Sequence, residues 1–154
     1  MKKLTIVWQR LVNERAQTCD RCGTTGTAVE EASRKLGRSL KDLGIDVVLE
    51  KKTLGPAAFR EDPLESNRIW LDGEPIEKWL QAASGRSACC AACGESDCRT
   101  VTVDGRTYEA IPEELIVRAG LLAAARLMRG KPPGSCCSPA KSPDGSSGCC
   151  PSLP

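Results

Sequence analysis

The chain has 154 residues, a formal net charge of +2 and 27% charged residues. That length is enough for one domain that buries its own hydrophobic core. The charges are interleaved and not gathered into a basic stripe with stacking aromatics, which excludes an ordinary nucleic-acid-binding surface. The chain contains ten cysteines and no histidine, so imidazole catalysis and mixed Cys/His metal sites are also excluded.

The N-terminal apolar run, Leu4–Trp8, stops at Gln9 and Arg10, which is too short for a signal peptide. No stretch reaches the roughly 18 apolar residues that a membrane span requires. We therefore expect a cytoplasmic protein that binds neither membranes nor nucleic acid. In a reducing cytosol, grouped cysteines are more often metal ligands or catalytic thiols than structural disulfides.

The first part of the chain predicts a strand, a helix and a second strand. Leu4–Trp8 contains β-branched residues and reads as a buried strand. A polar loop then leads to a Cys-x-x-Cys motif, and Thr24 or Thr25 is expected to cap the helix that follows. Gly44 ends this helix, and Ile45–Leu49 forms the second strand. A crossover of this kind makes the two strands parallel neighbours.

The second part predicts mainly β-structure followed by a long helix. Arg68–Leu71 is a third strand, Pro75–Ala83 a short amphipathic helix and Ser84–Arg99 a loop that holds four cysteines. A hairpin with an Asp-Gly turn follows over Thr100–Glu109. Pro112 opens a helix whose apolar residues recur with the 3.6-residue period. This order predicts an α/β fold with a central mixed sheet and flanking helices.

The composition changes at Gly130, beyond which proline, glycine, serine and cysteine dominate. Such a segment has almost nothing to bury. We predict one folded domain over residues 1–129 and a disordered tail over residues 130–154.

The first cysteine group, Cys19 and Cys22, follows the first predicted strand and opens the first helix. Residues three apart share a helix face, and a helix N-terminus stabilises a thiolate. In such pairs the first cysteine is usually the exposed nucleophile, and the second resolves the mixed disulfide. Arg21 would lower the pKa of that nucleophile and Asp20 would raise it. We predict Cys19 and Cys22 as a catalytic dithiol; half of a zinc site and simple packing are the alternatives.

The chain resembles the thioredoxin-like superfamily in the strand Leu4–Trp8, the Cys19–Cys22 helix start, the strand Ile45–Leu49, and the hairpin and helix at the end. Four segments resemble more closely an uncharacterised bacterial thioredoxin-like family known only as a domain of unknown function. They are Ile6–Arg10, Cys19–Cys22, Pro63–Trp70 and Tyr108–Pro112. The resemblance extends over residues 1–129 and excludes the tail. It implies a thioredoxin-like fold more securely than any particular activity.

The chain departs from the thioredoxin-like pattern just before the third strand. Enzymes of that superfamily place a cis-proline there, facing the dithiol, but here Ser66 and Asn67 hold the place and Pro63 lies too far upstream. That proline helps to bind substrate peptide and keeps metal off the dithiol. Its replacement weakens the case for general disulfide reductase activity and strengthens the case for metal capture at Cys19 and Cys22.

The second cysteine group is the densest, with four sulfurs that are sufficient for a tetrahedral site and a glycine, Gly94, that allows a tight turn. Adjacent cysteines have Cα atoms about 3.8 Å apart, whereas disulfides need about 4.4–6.8 Å. Neighbouring cysteines therefore suit ligation of an ion or pairing with a cysteine elsewhere. We predict a site for zinc or another thiophilic metal or metalloid; a redox relay with the dithiol and simple packing are the alternatives. The predicted ligands are Cys89, Cys90, Cys93 and Cys98.

The tail contains two further pairs, Cys136 with Cys137 and Cys149 with Cys150. Flexible neighbouring thiols suit large thiophilic species such as As(III), Hg(II) or Cu(I). We treat these four as accessory thiols, with a tail of no function as the alternative.

Three functions follow from these patterns. The first is a dithiol protein, a thiol–disulfide oxidoreductase if enzymatic, in which Cys19 attacks, Cys22 resolves and the Cys89–Cys98 loop is a relay or ion site; its partner is a protein thiol or disulfide. The second is a non-enzymatic carrier of a soft metal or metalloid (Zn, As, Hg or Cu). The third is an interaction domain that a zinc knuckle in the loop stabilises.

Overall fold

The computed structural model of the chain describes residues 1–89 and 93–130, which form a mixed α/β structure. Its strands are β1 (Lys2–Leu11), β2 (Ile45–Leu54), β3 (Arg68–Leu71), β4 (Glu74–Pro75), β5 (Ala83–Ala88), β6 (Asp97–Val103) and β7 (Arg106–Tyr108). Its helices are α1 (Asp20–Leu40), α2 (Pro56–Glu61), α3 (Ile76–Leu80) and α4 (Glu113–Arg129). Short 3₁₀ turns span Lys41–Leu43 and Pro63–Glu65.

The strands form two sheets. The first has the order β2-β1-β3-β4, in which β2 runs parallel to β1 while β3 and β4 each run antiparallel to their neighbour. The parallel pair extends from Lys2 opposite Ile45 to Leu11 opposite Leu54, and α1 is the crossover between them. The second sheet has the order β5-β6-β7 and is antiparallel.

The core lies between the first sheet and the two long helices. Alternate residues of β1, namely Leu4, Ile6 and Trp8, are buried, as the two-residue period of a strand requires. Helix α1 packs against both β2 and α4. Both helices bury an apolar stripe in this core. The stripes consist of Val29, Ala32, Leu36 and Leu40 from α1, and Leu115, Ile116, Ala119, Ala123 and Ala124 from α4.

Helix α1 begins earlier than the sequence predicts. Cys19 has extended backbone angles and is the N-cap, so the helix starts at Asp20 and the capping role expected of Thr24 or Thr25 is wrong. Thr25 is instead fully buried, and its hydroxyl oxygen accepts a hydrogen bond from the Ile111 amide at 3.1 Å. Helix α1 ends at Leu40 and continues as the 3₁₀ turn over Lys41–Leu43, which Gly44 ends with a φ of +68°.

Strand β5 lies inside the segment expected to be a loop. Its sequence has no β-branched or aromatic residue, so local propensity gives no signal for it. The strand is defined by its partner, pairing with β6 from Ala83 opposite Thr102 to Ala88 opposite Asp97. Helix α2 and the short β4 were also not predicted, whereas β3, α4 and the β6–β7 hairpin confirm the prediction.

A buried ion pair joins the second sheet to α3. Arg99 of β6 contacts Glu77 of α3 at 2.7 Å, with side chains only 10% and 11% exposed. The same guanidinium donates to the Leu64 carbonyl at 2.9 Å and to the Ser84 hydroxyl at 2.8 Å. Because Glu77 belongs to α3 and Leu64 to the 3₁₀ turn Pro63–Glu65, Arg99 fixes the second sheet beside the turn that precedes β3.

Cys90 and the four tail cysteines, Cys136, Cys137, Cys149 and Cys150, lie outside the described residues. So does the predicted disordered tail apart from Gly130, and both predictions remain predictions. Across residues 1–89 and 93–130, none of the helices has the length and apolarity needed to cross a bilayer.

Two glycines of α1 provide a matched test of the packing between β1 and α1. A Cβ at Gly26 would lie 2.4 Å from the buried Trp8 ring, whereas one at Gly37 would meet nothing within 4 Å. We expect Gly26→Ala to destabilise the protein by about 1–3 kcal/mol because the core is overpacked. Gly37→Ala should stabilise it by about 0.5–1 kcal/mol through helix propensity. Urea unfolding of both variants measures the difference, and equal effects would contradict the Trp8 contact.

Candidate functional site

The predicted dithiol lies at the start of α1, directly after the loop that leaves β1. Cys19 is the N-cap and Cys22 lies in the first turn. Both side chains are buried, with exposures of 4% and 1%. The expectation that Cys19 is an exposed nucleophile is therefore wrong, because the loop that contains Cys89 and Cys93 packs close to it.

A series of hydrogen bonds leads to the dithiol. The Leu11 amide donates to the Ser66 hydroxyl oxygen at 2.9 Å, and that hydroxyl lies 3.5 Å from the sulfur of Cys22. Either the hydroxyl or the thiol can donate in this contact, and the Cys22 side chain also hydrogen bonds to Cys19. This bond to Cys19, and next burial, raise the pKa of Cys22 well above its usual range. Cys22 consequently keeps its proton, and the sulfur of Cys19 accepts the hydrogen bond from it.

Ser66 and Asn67 occupy the position immediately before β3, opposite the dithiol, as the sequence predicts. Asn67 adopts a left-handed φ of +58° and accepts a 3.4 Å hydrogen bond from the Trp8 indole. Both residues are buried, and among residues 1–89 and 93–130 no peptide bond is cis. A hydroxyl rather than a proline ring therefore faces Cys22.

In the four-cysteine loop, Cys89 and Cys98 form a disulfide with a Cα separation of 5.0 Å. The Cys89 amide donates to the Ser96 carbonyl at 3.1 Å, which closes the loop at the ends of β5 and β6. Cys98 is buried, while Cys89 and Cys93 are partly exposed. For Cys89, the sequence predicted either ligation of an ion or pairing with a cysteine other than its immediate neighbour, and the structure has the second. Bonded in this way, Cys89 and Cys98 do not act as thiolate ligands.

The two cysteine motifs meet in space. The sulfurs of Cys19, Cys89, Cys93 and Cys98 all lie within 4.8 Å of one another. Cys22, although part of the Cys-x-x-Cys motif, is not a member of this sulfur cluster. Among residues 1–89 and 93–130, the predicted four-cysteine site and this cluster share Cys89, Cys93 and Cys98, and Cys19 is the fourth member of the cluster.

Arg21 holds the end of β5 over the start of α1. Its guanidinium donates to the Ser87 hydroxyl and to the Ala88 carbonyl, both at 2.8 Å, and forms a 2.7 Å ion pair with Glu109. The sequence suggested that Arg21 would tune the nucleophile's pKa. The structure instead engages it with the strand that precedes Cys89, which brings the loop disulfide to Cys19.

A cleft of about 320 Å³ reaches the cluster from the β1–α1 loop. It is lined by Leu11, Asn13, Gln17, Thr18, Cys19 and Cys93. The Asn13 side chain accepts hydrogen bonds from the Arg15 and Gln17 amides, which shapes this loop. The cleft admits a small molecule to the Cys19 side of the cluster, whereas a protein surface is too large to enter it.

Comparison with known proteins places the chain in a family. Residues 4–120 match the model of the domain of unknown function DUF2703. The chain belongs to the DUF2703 family. A relative described as an uncharacterized protein of Archaeoglobus fulgidus is 36% identical over 114 residues, which is 74% of this chain and 82% of the relative. No solved structure matches the chain.

The DUF2703 match includes every cysteine of the sulfur cluster and the residues that hold it. Sequence reasoning missed the contact of Ser66 with Cys22, although it marked Ser66 as standing where a proline is expected. It also missed Thr18, whose hydroxyl donates to the Leu11 carbonyl at 2.8 Å immediately before Cys19. The available signal for Thr18 was a hydroxyl residue directly before the Cys-x-x-Cys motif, and that signal is weak without the fold.

Replacing Arg21 tests how firmly the loop covers Cys19. We expect Arg21→Met to raise the alkylation rate of Cys19 several-fold, because the hydrogen bonds to Ser87 and Ala88 are lost while the aliphatic stem is kept. Peptide mapping after timed iodoacetamide labelling measures this rate. Arg38→Met, at an exposed position of the same helix, is the control and should leave it unchanged. Equal rates in the two variants would show that Arg21 does not hold the cover.

Proposed function

We propose that this DUF2703 protein is a thioredoxin-like dithiol protein in which Cys19 and Cys22 exchange electrons with the Cys89–Cys98 disulfide. The observation that supports it is the position of the Cys19 sulfur, within 4.8 Å of both sulfurs of that disulfide. The β1-α1-β2 crossover, the antiparallel β3 and β4, and the dithiol at the start of α1 support the thioredoxin-like fold.

The exchange proceeds in two balanced steps. The Cys19 thiolate attacks one sulfur of the loop disulfide, which forms a mixed disulfide and releases the other loop sulfur as a thiolate. Cys22 then attacks Cys19, so that a Cys19–Cys22 disulfide forms and the second loop thiolate leaves. Two electrons pass from the dithiol to the loop, and the two protons given up by Cys19 and Cys22 balance those that the loop thiolates take up.

The hydrogen bonds at Cys22 give these steps their order. While Cys19 is a thiolate, its charge and its bond with Cys22 raise the pKa of Cys22 and keep that thiol protonated. Formation of the mixed disulfide removes the Cys19 thiolate, and with it the hydrogen bond that is the largest cause of the raised pKa of Cys22. The Ser66 hydroxyl lowers the pKa of Cys22, so it favours the thiolate needed for the second step.

Burial determines where an external partner meets this relay. Cys19 and Cys22 are buried, whereas Cys89 is partly exposed. A protein thiol or disulfide therefore reacts at Cys89, and the loop disulfide transfers electrons between that partner and the dithiol. This arrangement differs from an enzyme that presents its dithiol directly to a substrate protein.

Serine substitutions at the dithiol test the relay. In Cys22→Ser the second step is blocked, so we expect a trapped disulfide between Cys19 and Cys89 or Cys98, detected as linked peptides by mass spectrometry. In Cys19→Ser we expect exchange with an added dithiol–disulfide couple to be lost. Serine is a favourable N-cap, so this variant keeps the start of α1. Exchange that continues at the wild-type rate in Cys19→Ser contradicts the proposal.

A second candidate function is carriage of a soft metal or metalloid. It is favoured by four clustered sulfurs with no imidazole anywhere in the chain, since thiolates select soft ions such as As(III), Hg(II), Cu(I) and Zn(II). In this function the loop disulfide is an oxidised resting state and the tail cysteines are accessory ligands.

Metal content combined with a thiol count separates the two functions. A carrier purified anaerobically should hold close to one soft ion per chain, with Cys89 and Cys98 counted as thiolates. The exchange function predicts metal-free protein in which eight of the ten cysteines react as thiols after unfolding, because one disulfide, Cys89–Cys98 or Cys19–Cys22, is present. Elemental analysis by mass spectrometry and thiol titration in denaturant make the two measurements on one sample.

A further inference from the structure

We propose that the reduced protein has a four-thiolate zinc site composed of Cys19, Cys89, Cys93 and Cys98, and that zinc and the Cys89–Cys98 disulfide exclude each other. This ligand set draws on both cysteine motifs. Its geometry is already close, because the four sulfurs lie within 4.8 Å of one another. Tetrahedral zinc with Zn–S bonds of about 2.3 Å requires sulfurs roughly 3.8 Å apart.

The donor set determines the kind of ion. Four sulfurs in a compact group, without oxygen or nitrogen ligands, suit Zn²⁺ in tetrahedral coordination. Gly94, beside Cys93, has a φ of +70°, a conformation that allows the chain to turn tightly between neighbouring ligands. Cys22 lies outside the set because its sulfur is not among those that lie within 4.8 Å of one another.

Charge around the cluster favours the loaded state. Four thiolates around Zn²⁺ have a net charge of −2, which the local field must compensate. The positive N-terminus of the 21-residue α1 starts at Cys19. The guanidinium of Arg21 lies against Ala88, the residue before Cys89. Both features stabilise negative charge at this end of the molecule.

Loading and oxidation balance as two separate reactions. An external dithiol reductant supplies two electrons and two protons, the Cys89–Cys98 bond breaks, and the reductant becomes a disulfide. Zn²⁺ then forms four Zn–S bonds and displaces four thiol protons. When an oxidant removes two electrons from Cys89 and Cys98, their S–S bond re-forms, and Cys19 and Cys93 alone are too few to retain the ion.

Regulation of the dithiol follows from this exclusion, and this part rests on the proposed exchange function. A Cys19 thiolate bound to zinc is no longer available to attack a disulfide. Zinc therefore halts exchange, and oxidation of the loop restores it by releasing the ion. The zinc site itself does not depend on whether exchange occurs.

Zinc titration of the full chain, reduced with a phosphine under anaerobic conditions, tests the ligand set. A background in which the four tail cysteines are serine removes competing thiols. In that background we expect one tight site per chain by competition with a chromophoric chelator. Cys19→Ser and Cys93→Ser should weaken binding by more than the roughly 10- to 100-fold typical of losing a residue that only orients a ligand.

The matched controls are Cys22→Ser and Cys90→Ser. They remove the remaining cysteine of each of the two motifs that supply the ligands. Both should bind zinc as tightly as the background protein. If Cys90→Ser weakens binding and Cys19→Ser does not, the loop alone holds the metal and the proposal is overturned. Circular dichroism of each variant confirms that a loss of affinity is not a loss of folding.

Oxidation tests the exclusion. Protein whose Cys89–Cys98 disulfide is verified by peptide mapping should lose the tight site, and a phosphine should restore it. Unchanged affinity in the oxidised protein overturns the exclusion. Tight zinc binding together with no trapped mixed disulfide in Cys22→Ser would refute the exchange function and leave the zinc site standing.

Discussion

The sulfur chemistry of this protein depends on two arginines that fasten the three-stranded sheet to the rest of the fold. Arg99 pairs with Glu77 in a nearly buried setting, and Arg21 holds the end of β5. Because β5 and β6 lead to Cys89 and Cys98, these contacts set the distance from the loop disulfide to Cys19. Each guanidinium satisfies three acceptors, which a lysine ammonium of different shape does not reproduce.

The parts of the fold that were predictable are those with local signals. Gly44 at the end of the first helix, the Asp-Gly turn of the hairpin and the 3.6-residue period of α4 each fix a short segment by its own residues. Strand β5 has no such signal, because pairing with β6 defines it. The thioredoxin-like resemblance located the dithiol and the place of Ser66, yet it contained no information on what covers Cys19.

The site illustrates the same limit. Spacing alone grouped Cys89, Cys90, Cys93 and Cys98, since they are neighbours in sequence. Membership of Cys19 in the sulfur cluster results from the docking of one sheet against a helix start, a contact between segments far apart in the chain. The absence of histidine was the most useful compositional fact, because it restricts every candidate chemistry here to sulfur.

The near-complete burial of Cys22 has a consequence for the order in which the thiols of this protein are oxidised. Peroxide and dissolved oxygen act on accessible thiolates, and this sulfur is neither accessible nor ionised. Cys22 is thus shielded from oxidants in solution, whereas Cys93 is partly exposed and Cys89 is already oxidised in the loop disulfide. In peroxide, Cys93 should therefore be oxidised faster than Cys22.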